Sequence, residues 1–186
     1  MRVLLVDGMA ERAALVAAGL AEAGCDVVAV APDAADLTRR VRESRAEVIV
    51  CDLDDPSRDA LESMRVLNRD EPRPVVLFAN RGEPEQIEAA LEAGVAAYVV
   101  EGLTPNRVRP VIEVAIRRFR AHQVLREELE TTRATLAARK VIDAAKARLM
   151  ETRRLTEQEA YRRLRRMAMD RGVRLAEAAQ AVLGTD

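Results

Sequence analysis

Histidine is almost absent from this 186-residue sequence, where His122 is the single one. No nucleophile–base arrangement can be built around it, so an enzyme is not expected. His122 reads instead as a seam or surface residue of a long helix. Cysteine is nearly as scarce. Cys25 and Cys51 sit in or beside apolar runs and form neither a CxxC pair nor a Cys/His cluster. That argues against a metal centre and for reduced, buried thiols in a cytoplasmic protein. No apolar run approaches the roughly 18 residues of a membrane span. The first apolar run, Val3–Val6, begins at once and lacks a signal-peptide pattern. Low-complexity tracts are missing too. What remains is 49% hydrophobic and 33% charged residues, a soluble globular composition long enough for one compact domain and a smaller module.

Charge is balanced overall, with a formal net charge of −1, but it is unevenly placed. Residues 117–186 carry 17 Lys and Arg against 10 Asp and Glu, an excess of seven positive charges. Residues 1–116 carry 13 against 21, an excess of eight negative ones. Such a split suits different partners for the two halves. Long exposed helices rich in arginine would produce it as well.

Short apolar runs alternate with longer helical patterns through the first 103 residues. The runs are Val3–Val6, Val27–Ala31, Val48–Cys51, Val75–Ala79 and Ala96–Val100. Each is valine-rich and mostly apolar on both faces, as buried parallel strands are. Between them lie residues at helical spacing, such as Leu15, Ala18 and Glu22, or Ile87, Ala90 and Leu91. Gly24 and Gly94 stand where helix C-caps would fall. Five β–α units predict a doubly wound, flavodoxin-like α/β fold with a five-stranded parallel sheet.

Beyond Pro105 the pattern becomes one long helix, over about 108–150. Val111, Ala115, Leu125, Leu129 and Leu136 fall on a 3–4 spacing that suits a coiled-coil dimer seam. Arg118, His122, Thr132 and Arg139 share the seam, so a solvent-bridging helix fits as well. Thr156-Glu157-Gln158-Glu159 then has the form of a capping box. A helix to about Arg171, a stop at Gly172 and a last helix over Leu175–Leu183 follow. Within the middle helix Ala160, Leu164, Met167 and Ala168 form a core stripe. Arg162, Arg163 and Arg166 lie opposite, and Tyr161 and Arg165 share the border. A border tyrosine beside an arginine can stack on an unpaired base while its neighbours hold phosphates. It can equally be a packed side chain.

Two carboxylates, Asp7 and Asp52, fall at the ends of the first and third strands, where open α/β sheets bind ligands. The run Val48–Pro56 resembles the phosphoacceptor strand of two-component receiver domains. The resemblance makes Asp52 the phosphoacceptor-like residue and Asp7 one of the acidic pair that holds Mg²⁺. Its second member reads Gly8, the hydroxyl position reads Ala79 and the lysine position reads Glu101. Asp7 and Asp52 would therefore hold Mg²⁺ weakly at best, and no cofactor is required. Asp54 or Asp55 could rebuild part of the acidic pocket. Phosphorylation is expected to be weak or absent.

Residues 139–186 resemble the ANTAR domain of the AmiR and NasR transcription antiterminators. The match is carried by Ala145-Lys146, Leu149-Met150, Ala160-Tyr161, Leu164-Arg165 and Ala168-Met169, with Ala147 where many members have glycine. The implied layout is a receiver-like domain at 1–116, a coiled-coil linker helix at 117–138 and an RNA-binding three-helix domain at 139–186. The implied RNA contacts are Arg139, Lys140, Lys146, Tyr161, Arg162, Arg165 and Arg166. Over its full length the chain is similar to NasT-type regulators of nitrate assimilation, through 55–59 and 97–103. That implies binding of a dual-hairpin leader RNA that averts termination, a homodimer, and a nitrate- or nitrite-sensing partner protein that controls the regulator. The alternative is a DNA-binding response regulator phosphorylated on Asp52.

Overall fold

The computed structural model describes residues 1–53, 56–100 and 105–184. Its five strands are β1 (Arg2–Asp7), β2 (Asp26–Ala31), β3 (Val48–Asp52), β4 (Val75–Ala79) and β5 (Ala97–Val100). All pair in parallel, in the order β2-β1-β3-β4-β5. The chain direction across the sheet reverses between β1 and β3, which opens a crevice at their carboxyl ends.

Successive side chains on a strand point to opposite faces, so each strand feeds two layers. Val3, Leu5, Val48, Val50, Val76 and Phe78 pack under α1 (Ala10–Glu22) and the first turns of α5 (Pro105–Arg153). Leu4, Val6, Ile49, Cys51 and Leu77 pack under α2 (Leu37–Ser44), α3 (Arg58–Asp70) and α4 (Pro84–Glu92). β1, β3 and β4 are buried on both faces. The edge strands β2 and β5 are only half-covered, so the expectation of five doubly buried strands holds for the central three. Gly94, with φ of +89°, lies against the Asn68 side chain where a Cβ would collide at 2.3 Å.

In two helices the spacing left the buried face open, and the structure selects it. In α1 the spacing Leu15, Ala18, Glu22 marks the solvent face, and Leu15 is 76% exposed. The buried stripe is Ala13, Val16, Gly19 and Leu20. In α4, Ala90 is fully buried while Leu91 is 49% exposed. Both helices are alanine-rich, so two stripes of similar apolarity compete and the sheet selects one.

The long helix begins three residues earlier than expected and contains Pro110. A proline there cannot donate the helical N–H bond to residue 106. Val108, Ile112 and Ala115 are fully buried, and Val111 packs beside them in the core of the first unit. Ala115 and Val111 therefore serve the receiver-like core rather than an intermolecular seam. Leu125, Leu129 and Leu136 are 64%, 49% and 55% exposed, so these three of the expected seam residues lie on the surface.

The described residues divide into compact units at Gln123 and Val124. In the second unit the end of α5 packs with α6 (Glu157–Arg171) and α7 (Leu175–Leu183) around Ala145, Leu149, Ala160, Leu164 and Ala179. Thr156 caps α6. Its hydroxyl accepts from the Glu159 N–H at 3.4 Å, and its own N–H donates to Glu159 Oε2 at 2.8 Å. Gly172, with φ of +65°, ends α6 in the left-handed conformation, and the next N–H, of Val173, returns to the Ala168 carbonyl. Arg148 donates to the Leu183 carbonyl at 3.0 Å and so satisfies an end of α7.

Candidate functional site

The parallel register sets Asp7 directly beside Asp52. Asp7 continues the face of Val3 and Leu5, and Asp52 that of Val48 and Val50, so both carboxylates turn toward the α1 layer. Asp7 is 2% and Asp52 6% exposed. A buried carboxylate needs a partner, and the partner is Arg12, in the first turn of α1. Arg12 Nη2 donates to Asp7 Oδ1 at 2.9 Å, and Nε lies 3.1 and 3.0 Å from Oδ1 and Oδ2. The same guanidinium reaches the Asp52 carbonyl at 3.2 Å and lies 3.4 Å from Asp52 Oδ2. Asp7 Oδ1 also accepts from the Met9 N–H at 2.8 Å.

A divalent cation, the group this fold implies, does not fit here as the residues stand. Its carboxylate oxygens are occupied by a guanidinium, which cannot lose its proton. No group of three or more His, Cys, Asp or Glu among the described residues could hold a metal ion. Asp54 and Asp55, offered as supplementary acids, and Glu101, Gly102 and Leu103 after β5 lie outside the described residues. Ala79, at the hydroxyl position, is fully buried at the end of β4. Sequence reasoning missed Arg12. Its signal was a cation in a helix's first turn, where the positive end of the macrodipole disfavours it.

Neighbouring Cys51 is fully buried, and burial, then the Asp52 charge, pushes its thiol up to about 12. Cys25 is buried too and also raised, chiefly by desolvation. Neither offers a thiolate. A groove of about 830 Å³ opens at the far, amino-terminal edge of the sheet, lined in part by Arg42, Glu71 and Arg73. Glu71 pairs with both arginines, at 3.1 and 3.0 Å, and the groove takes no part in the acidic site.

The second site lies on the C-terminal unit. Lys146 of α5 and Tyr161 of α6 line one groove of about 340 Å³, with Glu157, Gln158 and Arg162. Lys146 Nζ contacts Asp143 and Glu157, each at 2.8 Å. These hydrogen bonds, Asp143 first, hold the ammonium above its ordinary value of 10.5, and Asp143 is correspondingly lowered. Tyr161 is 44% exposed. On the adjoining face Glu159, Arg162, Arg163, Arg166, Met167 and Asp170 line a second groove of about 350 Å³. Arg163, Arg165 and Arg166 make no ion pair among the described residues and are exposed. Arg139 and Lys140 are exposed one turn or more before Lys146, with Arg139 4.0 Å from Asp143. Lys146 and Tyr161 are thus brought together, while Arg165 lines neither groove. The Lys146–Glu157 bridge between helices was not foreseen, because the pattern along one helix does not report a partner on the next.

Among the described residues no helix is long and apolar enough to cross a membrane. Comparison with protein families matches residues 3–113 to the response regulator receiver domain and residues 130–183 to the ANTAR domain. The chain is 28% identical over 184 residues to the transcriptional regulatory protein PdtaR of Mycobacterium tuberculosis, covering 99% of this chain and 90% of that one. It is 27% identical over 117 residues to the DNA-binding response regulator MtrA of Mycobacterium leprae, covering 63% of this chain and 52% of that one. Among solved structures, a LuxR-family two-component response regulator from Aurantimonas sp. SI85-9A1 is similar, at 28% identity and a TM-score of 0.54, over 62% of this chain and 84% of that one. The parallel sheet with its paired aspartates and the three-helix unit later in the chain agree with both family matches: the chain belongs to the response regulator receiver family and carries an ANTAR domain after its receiver in sequence.

Proposed function

We propose that this protein is a cytoplasmic antitermination regulator whose ANTAR domain grips hairpin loops in a leader RNA. The observation that carries this reading is the meeting of Lys146 and Tyr161 in one groove, beside the exposed arginines of α6, within the residues matched to ANTAR. An exposed tyrosine offers a stacking face for an unpaired base, and arginines offer charge for phosphates. Arg139 and Lys140 extend the cationic surface along α5. Stabilising a dual-hairpin element would keep a competing terminator from forming.

Control by a sensor partner suits this receiver better than control by a kinase. Its hydroxyl position is Ala79, and its acidic pair is already engaged by Arg12. Resemblance to NasT-type regulators motivates nitrate or nitrite as the partner's signal. The protein acts as a homodimer through the exposed leucines of α5, whose spacing allows the same face of a second copy to interlock with it.

The test compares full-length protein on a two-hairpin leader RNA and on the same sequence as duplex DNA, at one salt concentration. RNA is expected to bind at least tenfold more tightly. Preference for the duplex favours the alternative, a DNA-binding regulator phosphorylated on Asp52. That alternative also requires a stable, stoichiometric phosphoryl adduct on Asp52 after incubation with a small phosphodonor and Mg²⁺.

A further inference from the structure

We propose that Arg12 is the resident cation of the receiver's acidic pocket and closes that pocket to divalent metal. The geometry carries the inference. Mg²⁺ demands oxygen ligands at about 2.0–2.1 Å in near-octahedral arrangement. In this crevice the oxygens it would take are Asp7 Oδ1 and Oδ2 and Asp52 Oδ2, and each lies 2.9–3.4 Å from an Arg12 nitrogen. A metal on those oxygens would sit a few ångströms from the guanidinium, and two cations at such range in a buried site repel strongly.

The arrangement is built as a unit. Asp7 stands at the end of β1, Asp52 at the end of β3 and Arg12 in the first turn of α1. One planar guanidinium links the two strand ends to the helix, with Nε and Nη2 set against the Asp7 carboxylate and the Asp52 carbonyl and carboxylate oxygens. Gly8 removes the second acid that would add ligands for a metal. Because arginine keeps its proton at every accessible pH, the resident positive charge stays in the pocket whatever the pH or metal level. A receiver completed in this way holds its switch-point crevice together without an ion, and its state is independent of Mg²⁺.

Titration calorimetry with Mg²⁺, and melting of the full chain in EDTA and in about 10 mM Mg²⁺, test this. The wild type is expected to show no saturable binding and the same Tm in both. Arg12→Ala takes the guanidinium away from two buried carboxylates, so its Tm should fall in EDTA. Mg²⁺ should then bind the variant at least tenfold more tightly than the wild type and recover much of the lost Tm, since a ligand of the folded state stabilises it. Sub-millimolar Mg²⁺ binding by the wild type would overturn the proposal, and that measurement needs no variant to fold. An Arg12→Ala protein as stable as wild type in EDTA, or one that gains no affinity for Mg²⁺, would overturn it as well. Arg12→Gln, which keeps the chain length without the charge, repeats the comparison should the alanine variant fail to fold.

Discussion

Lys146 is held between two carboxylates, so RNA phosphate must compete with the protein's own acids for it. An exposed pair of this kind is weak, and Glu157→Gln should raise RNA affinity by roughly two- to fivefold at low salt. Electrophoretic or fluorescence titration reads this, and an unchanged or lower affinity removes Lys146 from the interface. Tyr161 is expected to act through its ring. Stacking contributes about 1–3 kcal/mol per base, so Tyr161→Ala should cost about tenfold or more while Tyr161→Phe keeps most of the affinity. Equal losses in both variants would assign the role to the hydroxyl instead. At this scale the sequence was partly legible. Asp7 and Asp52 could be placed because strand ends are readable from valine runs. Arg12 could not, because its role depends on a side chain folding back across a turn onto two strands.

The ends of α6 were readable to the residue, since Thr156, Glu159 and Gly172 each have a distinct backbone task. Thr156→Ala removes the cap and should destabilise the C-terminal unit by about 1 kcal/mol. The loss should depend on pH. Hydrogen bonds from Thr156, the backbone one first, hold the Glu159 carboxyl below its ordinary value of 4.5. A carboxyl lowered on folding contributes stability above its unfolded value and loses it as pH falls through the folded one. Denaturation from neutral pH down to about pH 3 should therefore show a steeper acid loss in wild type than in Glu159→Gln, whose side chain does not titrate, and parallel curves would contradict the carboxylate's part in the cap. α1 was harder to read. Its alanines give the Leu15 and Val16 faces nearly equal apolarity, and the choice between them is made by the sheet. Val111 and Ala115 failed for a related reason: a 3–4 spacing reports a buried stripe without saying what buries it.

For the whole molecule, the charge split now has a physical place: the acidic half is the receiver, and the positive excess runs along α5 and α6. Residues 124–137 of α5 are exposed throughout. A helix so bare is marginal alone, and pairing with a second copy would cover Leu125, Leu129 and Leu136. Leu129→Glu with Leu136→Glu should shift the protein from dimer to monomer in sedimentation equilibrium without unfolding the receiver, whose core takes its α5 residues from Val108 to Ala115. A wild type that is monomeric at tens of micromolar, a concentration where a stable coiled coil is paired, would contradict the seam. The reading depends most on the C-terminal grip on RNA. Binding of the full chain to a two-hairpin leader RNA from its own host, compared with the Lys146→Ala, Tyr161→Ala, Arg165→Ala triple variant of unchanged circular dichroism, measures it directly. A loss of about a hundredfold or more is predicted from stacking and phosphate contacts together, and a triple variant that binds as tightly as wild type would contradict it.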